Sequence, residues 1–477
     1  MDDNFEEYSE EEIKNLIDKF ESMLESNQTY FFDVNDFEVI IDYYLERNNL
    51  SKTSIALRYA TGQHPKSVGL LLKKAQLYAF SDKTDKALEL LAKVELLDPT
   101  NSDVFFTKGA IYSQLKRYEK AIEEYHKAIN KAEELDEVYI NIAFEYENLG
   151  NYNKAIDYLK KALEINPDNE AVLYELSINY EFADKMNDSI AFFENYLEEN
   201  PYSKVGWLNL GIAFNIVGLY EKAVDAFDFS IAIDENFLIG HYNKAATYIN
   251  LNQFQRAIDI YLEILDLEDN KAIGNYYIGE CYEKLENFPL AIKYYDIAIE
   301  FDDHFADAWL GRGMACYELK NVEESIKDIS RAVEIDPENS EYLFLLADIQ
   351  QKEGMLEALE TYRKVSELEP TNIDIWIEYS DAYQEADNLD KAIEIIKTGI
   401  SFQPENAELF YRLSAYLLLN KDTKEAYNIL EVALDMDLSY ADELIEYIGE
   451  FEENNHLIDV INQFKIDIKT NKDKRTC

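Results

Sequence analysis

An all-α chain assembled from a recurring pair of helices is predicted by three observations. A frame of 34 residues runs along most of the sequence, apolar residues recur inside each frame at helical spacing, and prolines stand where frames meet. With frames opening at residues 34, 68, 102, 136, 170, 204, 238, 272 and 306, the eighth place reads Ile41, Ala75, Gly109, Ala143, Ser177, Gly211, Ala245, Gly279 and Gly313. The eleventh place reads Tyr44, Tyr78, Tyr112, Tyr146, Tyr180, Phe214, Tyr248, Tyr282 and Cys316, and the twentieth is Ala, Ser or Thr throughout. Small residues let two helices approach closely and the ring column fills the space to the neighbouring frame, which is how dense packing is reached.

Taken in order, residues 1–33 form an acidic segment and a capping helix, in which Ser9 and Glu12 have capping-box spacing ahead of the stripe Ile13, Leu16, Ile17, Phe20, Met23 and Leu24. Repeats occupy residues 34–440. In the frame at 136, Tyr139, Ile142, Ala143 and Tyr146 mark a first helix and Asn148 to Asn153 a polar turn. Tyr152, Ala155, Ile156, Leu159, Ala162 and Leu163 then mark a second helix. Pro65, Pro99, Pro167, Pro201, Pro337, Pro370 and Pro404 each precede a new frame, where a residue without an amide hydrogen ends one pair and starts the next. The frame at Ser340 keeps Leu343 and Ala347 in place, but Ala358, Tyr362 and Pro370 arrive one residue early, which predicts a deletion in the turn near Gly354 and Met355. Frames at Ile373 and Ala407 resume the period and bring the total to twelve. Residues 441–477 carry the apolar groups Leu444, Ile445, Ile448 and Leu457, Ile458, Val460, Ile461, Phe464, a closing capping pair, followed by a basic tail with Lys469, Lys472, Lys474 and Arg475.

The pattern resembles the tetratricopeptide repeat, whose signature is a Trp, Leu-Gly, a Tyr, an Ala, a Phe and a closing Pro. Trp207, Leu210, Gly211, Phe214, Ala223 and Phe227 reproduce most of it, with Glu235 in the place of the proline, and Trp309 and Trp376 repeat the tryptophan. The resemblance implies a right-handed superhelical solenoid of about twelve helix-turn-helix repeats with terminal capping helices, a groove lined by the first helices, and protein binding.

Composition narrows the partners. With 45 basic and 96 acidic residues the net charge is −51, so nucleic acid and anionic membrane are excluded, since both are bound through basic surfaces. No apolar run is long enough to span a bilayer and the start is acidic where a secretory signal would be basic, which predicts a cytoplasmic protein. Cys281 and Cys316 sit in successive first helices and are read as buried free thiols. The five histidines show no metal-ligand spacing, and Gly311 and Gly313 lie within a helix rather than a phosphate loop. No metal, no cofactor and no catalytic residue are predicted, and the chain is read as not an enzyme.

By the resemblance, the groove is lined by the second, fifth, sixth, ninth, twelfth and thirteenth places. The candidate peptide-binding residues there are Asn141, Phe144, Tyr174, Ile178, Asn209, Ile212, Tyr242, Asn243, Tyr276 and Tyr277, in an apolar stripe with Ile140, Phe182 and Leu208. Asn141, Asn209 and Asn243 share the sixth place, and an amide offers a donor and an acceptor to an extended backbone. A similar asparagine ladder occurs in the repeat domain of the glycosyltransferase that adds N-acetylglucosamine to proteins. Towards the C-terminus the same places turn acidic, with Glu341, Asp348, Asp374, Glu378, Asp381, Glu385 and Glu408. The expected partner is a protein or extended peptide, apolar with a basic flank. The expected function is a non-catalytic scaffold, with a structural assembly element or an accessory subunit of a glycosyltransferase-like complex as the alternative; oligomeric state is left open.

Overall fold

The computed structural model describes residues 8–26, 29–81, 83–131, 134–267, 271–441 and 461, so the closing helix pair and basic tail expected over 441–477 lie almost wholly outside the described residues. Among the described residues the chain is all-α, with 25 helices and no strand. It divides into two compact units, residues 1–243 and 244–477. The first holds α1 (Glu10–Ser26), α2 (Val34–Glu46), α3 (Leu50–Gln63), α4 (Val68–Phe80), α5 (Thr84–Leu97), α6 (Ser102–Gln114), α7 (Tyr118–Ala128), α8 (Leu135–Asn148), α9 (Tyr152–Ile165), α10 (Glu170–Phe182), α11 (Met186–Glu199), α12 (Lys204–Ile216), α13 (Tyr220–Ile233) and the start of α14 (Leu238–Asn250). The second continues with α15 (Phe254–Ile264), α16 (Ala272–Lys284), α17 (Phe288–Phe301), α18 (Ala306–Glu318), α19 (Val322–Ile335), α20 (Ser340–Lys352), α21 (Glu357–Leu368), α22 (Ile373–Glu385), α23 (Leu389–Phe402), α24 (Ala407–Leu419) and α25 (Thr423–Met436). From α2 to α13 and from α16 to α25 the helices pair as hairpins, one per frame.

Each hairpin is punctuated by the same local chemistry. At the fifteenth place the chain turns left-handed, at Asn48, Lys116, Gly150, Asp184, Gly218, Asn252, Glu286, Lys320, Gly354, Asp387 and Lys421. There the first helix closes with two backbone bonds, as when Gly150 N–H donates to Glu147 O and Asn151 N–H to Tyr146 O, both at 2.8 Å. At the other boundary, every one of the seven prolines is followed two residues later by a cap. The Ser67, Asn101, Asn169, Ser203, Asn339, Asn372 and Asn406 side chains accept from backbone N–H groups of the first helical turn. Ser9 and Glu12 cap α1 reciprocally, Ser9 N–H to Glu12 Oε2 at 2.8 Å and Glu12 N–H to Ser9 Oγ at 3.4 Å.

The shortened frame is repaired just past the turn. Gly354 holds the usual left-handed place and its two closing bonds, to Gln351 O from itself and to Gln350 O from Met355, are intact at 2.8 Å. The missing residue is therefore absorbed between Met355 and Ala358, in a second helix that begins at Glu357 and has 12 residues where its neighbours have 14.

The tryptophan column has a specific bond. Trp207, Trp309 and Trp376 donate Nε1–H to the carbonyls of Pro201, Asp303 and Pro370, each six residues back, at 2.9, 3.0 and 2.9 Å. His241 occupies the same place, and its Nε2 meets Glu235 O at 3.0 Å. The imidazole thus substitutes for the indole N–H, a structural role that requires the Nε2–H form. Cys281 and Cys316 are buried and unpaired, and burial pushes the Cys281 thiol up to about 12. Gly311 and Gly313 lie inside α18, the first against Tyr295 and the second against Ile329.

Candidate functional site

Within each unit the first helices of consecutive hairpins pack on one another, α4 on α6 and α10 on α12 in the first unit, α20 on α22 and α22 on α24 in the second. Second helices make no comparable contact among the described residues, so each unit presents an inner face of first helices. In the first unit this face carries Phe144 on α8, Ile178 and Phe182 on α10 and Ile216 on α12, which are 55 %, 45 %, 65 % and 46 % exposed. Each of these side chains keeps about half of its apolar surface outside the packing between repeats. Phe182 is held flat by Tyr152, the rings 5.1 Å apart at 20°. Exposed Glu137, Glu175 and Glu181 flank the row.

Two buried asparagines set the spacing of these helices. Asn179 on α10 donates Nδ2–H to Glu147 Oε1 of α8 at 2.6 Å and to Glu175 O at 2.9 Å. Asn209 on α12 donates to Leu173 O of α10 at 2.8 Å. The bonds to Glu147 and to Leu173 cross between first helices and come from buried amides, where a hydrogen bond is stronger and its loss more costly.

The three asparagines of the sixth-place column are held differently from one another. Asn209 is fully buried, so its amide reaches a neighbouring helix rather than a ligand. Asn141 and Asn243 turn their Nδ2–H groups back to Glu137 O and Ile239 O of their own helices, both at 2.8 Å. Tyr174 and Ile212 are half-buried against the core between α8 and α13, and Tyr242 is half-buried on α14. Tyr276 and Tyr277 belong to the second unit and pack there: Tyr276 lies 4.9 Å from Phe305 and 5.8 Å from Tyr295, and Tyr277 stacks on Tyr261 at 5.4 Å. Of the ten candidate residues, Phe144 and Ile178 project furthest, and Ile212 lies in the same ninth-place column. Ile216 and the strut Asn179 were missed. Ile216 follows Phe182 in the thirteenth place, and Asn179 stands out as an amide in a place that Ala213 fills one frame later.

The acidic places of the second unit are partly neutralised where they stand. Asp348 pairs with Lys352 at 2.6 Å and Asp381 with Arg412 at 3.2 Å, while Tyr416 donates its hydroxyl to Asp381 at 2.5 Å. Gln351 donates to Glu385 at 3.0 Å. Burial, then Asp381 and Asp348, push the Glu378 carboxyl above its ordinary range, so a cation arriving there would relieve it.

Glu145 is the most enclosed carboxyl on α8, and burial raises its pKa against one opposing bond from Ser113. A carboxyl raised on folding favours the native state when protonated, so its penalty is absent at low pH and grows as pH rises through the raised pKa. Glu145→Gln is therefore expected to stabilise the protein by about 1–3 kcal/mol at pH 7.5. Thermal melts followed by circular dichroism should show the gain shrinking towards pH 4.

Family models described as Tetratricopeptide repeat match residues 102–131, 137–169, 242–304, 306–339 and 355–416. No curated protein matches the sequence. Among solved structures, the chain is similar to yeast Tom70, with 16% identity over 85% of this chain and 97% of that one, at a TM-score of 0.40. It is similar to the APC/C hetero-tetramer Cut9–Hcn1, with 15% identity, 86% and 94% coverage and a TM-score of 0.38. It is also similar to YrrB, a TPR protein with an unusual peptide-binding site, with 21% identity, 38% and 95% coverage and a TM-score of 0.31.

Proposed function

Because this chain is a tetratricopeptide repeat protein, we propose that it is a non-catalytic cytoplasmic scaffold whose inner face holds a segment of another protein. The observation that carries this reading is the row Phe144, Ile178, Phe182 and Ile216, exposed on helices whose separation Asn179 and Asn209 hold. Affinity comes from burying these side chains against apolar residues of the guest, and Glu137, Glu175 and Glu181 favour Lys or Arg beside them. The second unit, with Glu378 raised by its surroundings, favours basic residues independently. In this reading Asn209 sets helix geometry rather than contacting the guest, and Asn141 and Asn243 spend their amide hydrogens on their own helices.

The test is the pair Phe144→Asp and Ile178→Asp, at side chains that keep about half of their surface exposed. Losing two apolar anchors, each contributing about 1.5–3 kcal/mol when buried, should weaken a partner identified by affinity capture by roughly a hundredfold or more in titration calorimetry. Helical content should be unchanged. Undiminished affinity in a folded double variant would remove the inner face as the binding surface.

A further inference from the structure

The outer face of the first unit holds a second opening, in the furrow between the second helices α11 and α13. Its chemistry differs from that of the furrow one repeat earlier. At the twenty-third, twenty-fifth and twenty-sixth places, the furrow between α9 and α11 has Phe192, Lys160 and Asn195, whereas the one between α11 and α13 has Ala226, Glu194 and Phe229. In the earlier furrow, Lys160 Nζ lies 5.2 Å from the Phe192 ring centre and 5.3 Å from that of Tyr180. Both furrows are open, the earlier with about 480 Å³ lined largely by Asn153, Asp157, Lys160, Lys185, Asp188 and Asn195, whereas the later, with Ala226 in place of Phe192, is a cavity of about 380 Å³ walled by Leu197, Trp207, Leu210, Phe214 and Phe229.

Phe229 is out of keeping with its column. The same place is Lys127, Lys161 and Asn195 in the three preceding repeats, so stacking requires no ring there, yet Phe229 stands 55 % exposed. It stacks on Trp207 at 4.5 Å and 25°. Trp207 is itself held by its Nε1–H bond to Pro201 O at 2.9 Å, which orients the indole face towards Phe229. The rim carries Glu194, Glu198 and Asp225, none of them in an ion pair among the described residues, while Lys222 lies along Phe214 with its Nζ 5.3 Å from the ring centre.

We propose that this notch is a second docking site, distinct from the inner face, for a protein segment that inserts one large aliphatic or aromatic side chain between Trp207 and Phe229 and lays Lys or Arg on Glu194, Glu198 and Asp225. Charge complementarity selects this occupant over a second copy of the chain, which carries −51 and would meet three carboxylates with more of its own. Aromatic walls around a small apolar cavity with a charged rim are the arrangement in which one anchor residue supplies most of an interface's affinity.

The test uses a fluorescein-labelled peptide with Leu-Trp-Leu between pairs of lysines, a twin with glutamates for the lysines, and fluorescence anisotropy on the full chain. The lysine peptide should bind, and Ala226→Trp, which fills the cavity, should weaken it at least tenfold. Phe229→Ala, at an exposed place, should act in the same direction and keeps the test open if Ala226→Trp fails to fold. The glutamate twin should bind at least tenfold more weakly, and Phe144→Asp with Ile178→Asp should leave the lysine peptide unaffected. Unchanged affinity in a folded Ala226→Trp or in Phe229→Ala would overturn the site, as would equal binding of the twin. Loss of binding in the Phe144/Ile178 variant alone would assign the peptide to the inner face, and protection of the notch by a dimer in sedimentation would replace the partner with a second copy.

Discussion

Arg312→Ala is expected to cost about 3–5 kcal/mol, the range found when one member of a buried ion pair is removed. Arg312 lies in the seventh place of its frame, where Ile142, Leu176, Leu210, Ile278 and Leu346 stand in others. Its guanidinium grips Asp328 with two bonds, Nε to Oδ2 at 2.8 Å and Nη2 to Oδ1 at 2.6 Å, and reaches Asp296 on α17 through Nη1 at 2.5 Å. The indole of Trp309 lies 4.7 Å beneath it. Asp328 has no exposed surface, so without Arg312 its charge would have neither water nor a partner.

The same geometry separates this loss from simple cavity formation. Burial raises the Asp328 carboxyl and Arg312 opposes the rise. In Arg312→Ala that opposition disappears and the native pKa climbs further, so protonation favours the folded variant. Its deficit in urea denaturation should therefore shrink as pH falls through the raised pKa towards the ordinary carboxylate range. Arg312→Leu combined with Asp328→Ala removes both charges and should recover most of the stability, since replacing a buried pair by apolar side chains is often neutral. A deficit that stays constant with pH and persists in the double variant would mean that the packing of the long side chain, and not its charge, holds α17, α18 and α19 together.

The hairpins are legible in the sequence because stacking one repeat on the next demands the same side-chain volumes every 34 residues. Phe144 and Ile178 are legible for the converse reason: they are apolar where about half of the side chain lies outside that stacking. The asparagines are not. An amide on a first helix can face a ligand, as the column suggested, but it can equally bond the carbonyl four residues back, as Asn141 and Asn243 do, or cross to the next helix, as Asn209 does. Which occurs depends on how closely two first helices approach at that turn, a quantity the identity of one residue does not encode. The left-handed turns are hidden for a similar reason. Their bonds are made by backbone atoms, so Lys116, Glu286, Lys320 and Lys421 hold the place that Gly150, Gly218 and Gly354 hold elsewhere.

Gly211→Ala should produce the second large effect, although alanine is the better helix former by about 1 kcal/mol. A Cβ at Gly211 would lie 2.5 Å from Phe227 Cε1, 2.7 Å from Cδ1 and 2.8 Å from Cζ, and the Phe227 ring is fully buried, so the ring or the helix must shift. Overpacking of a dense core costs about 1–3 kcal/mol, so the net loss should reach about 2 kcal/mol. Gly109 and Gly279 meet Tyr125 and Tyr295 in the same way, while the frames with Ala75 and Ala143 in the eighth place carry Leu91 and Leu159 in the twenty-fourth. Gly211→Ala with Phe227→Leu copies that second solution and should restore most of the stability, which a double-mutant cycle would register as strong coupling. Gly150→Ala offers the contrast, because nothing lies near its would-be Cβ and its cost arises from a backbone φ of +68° that no neighbouring substitution relieves. Binding should follow stability at Gly211. α12 also carries Ile216 and the Asn209 bond to Leu173, so pushing it off α13 displaces the inner face, and a guest held there should weaken in Gly211→Ala and recover in the double variant. Recovery of stability without recovery of affinity would separate the packing of this hairpin from the placement of the binding surface.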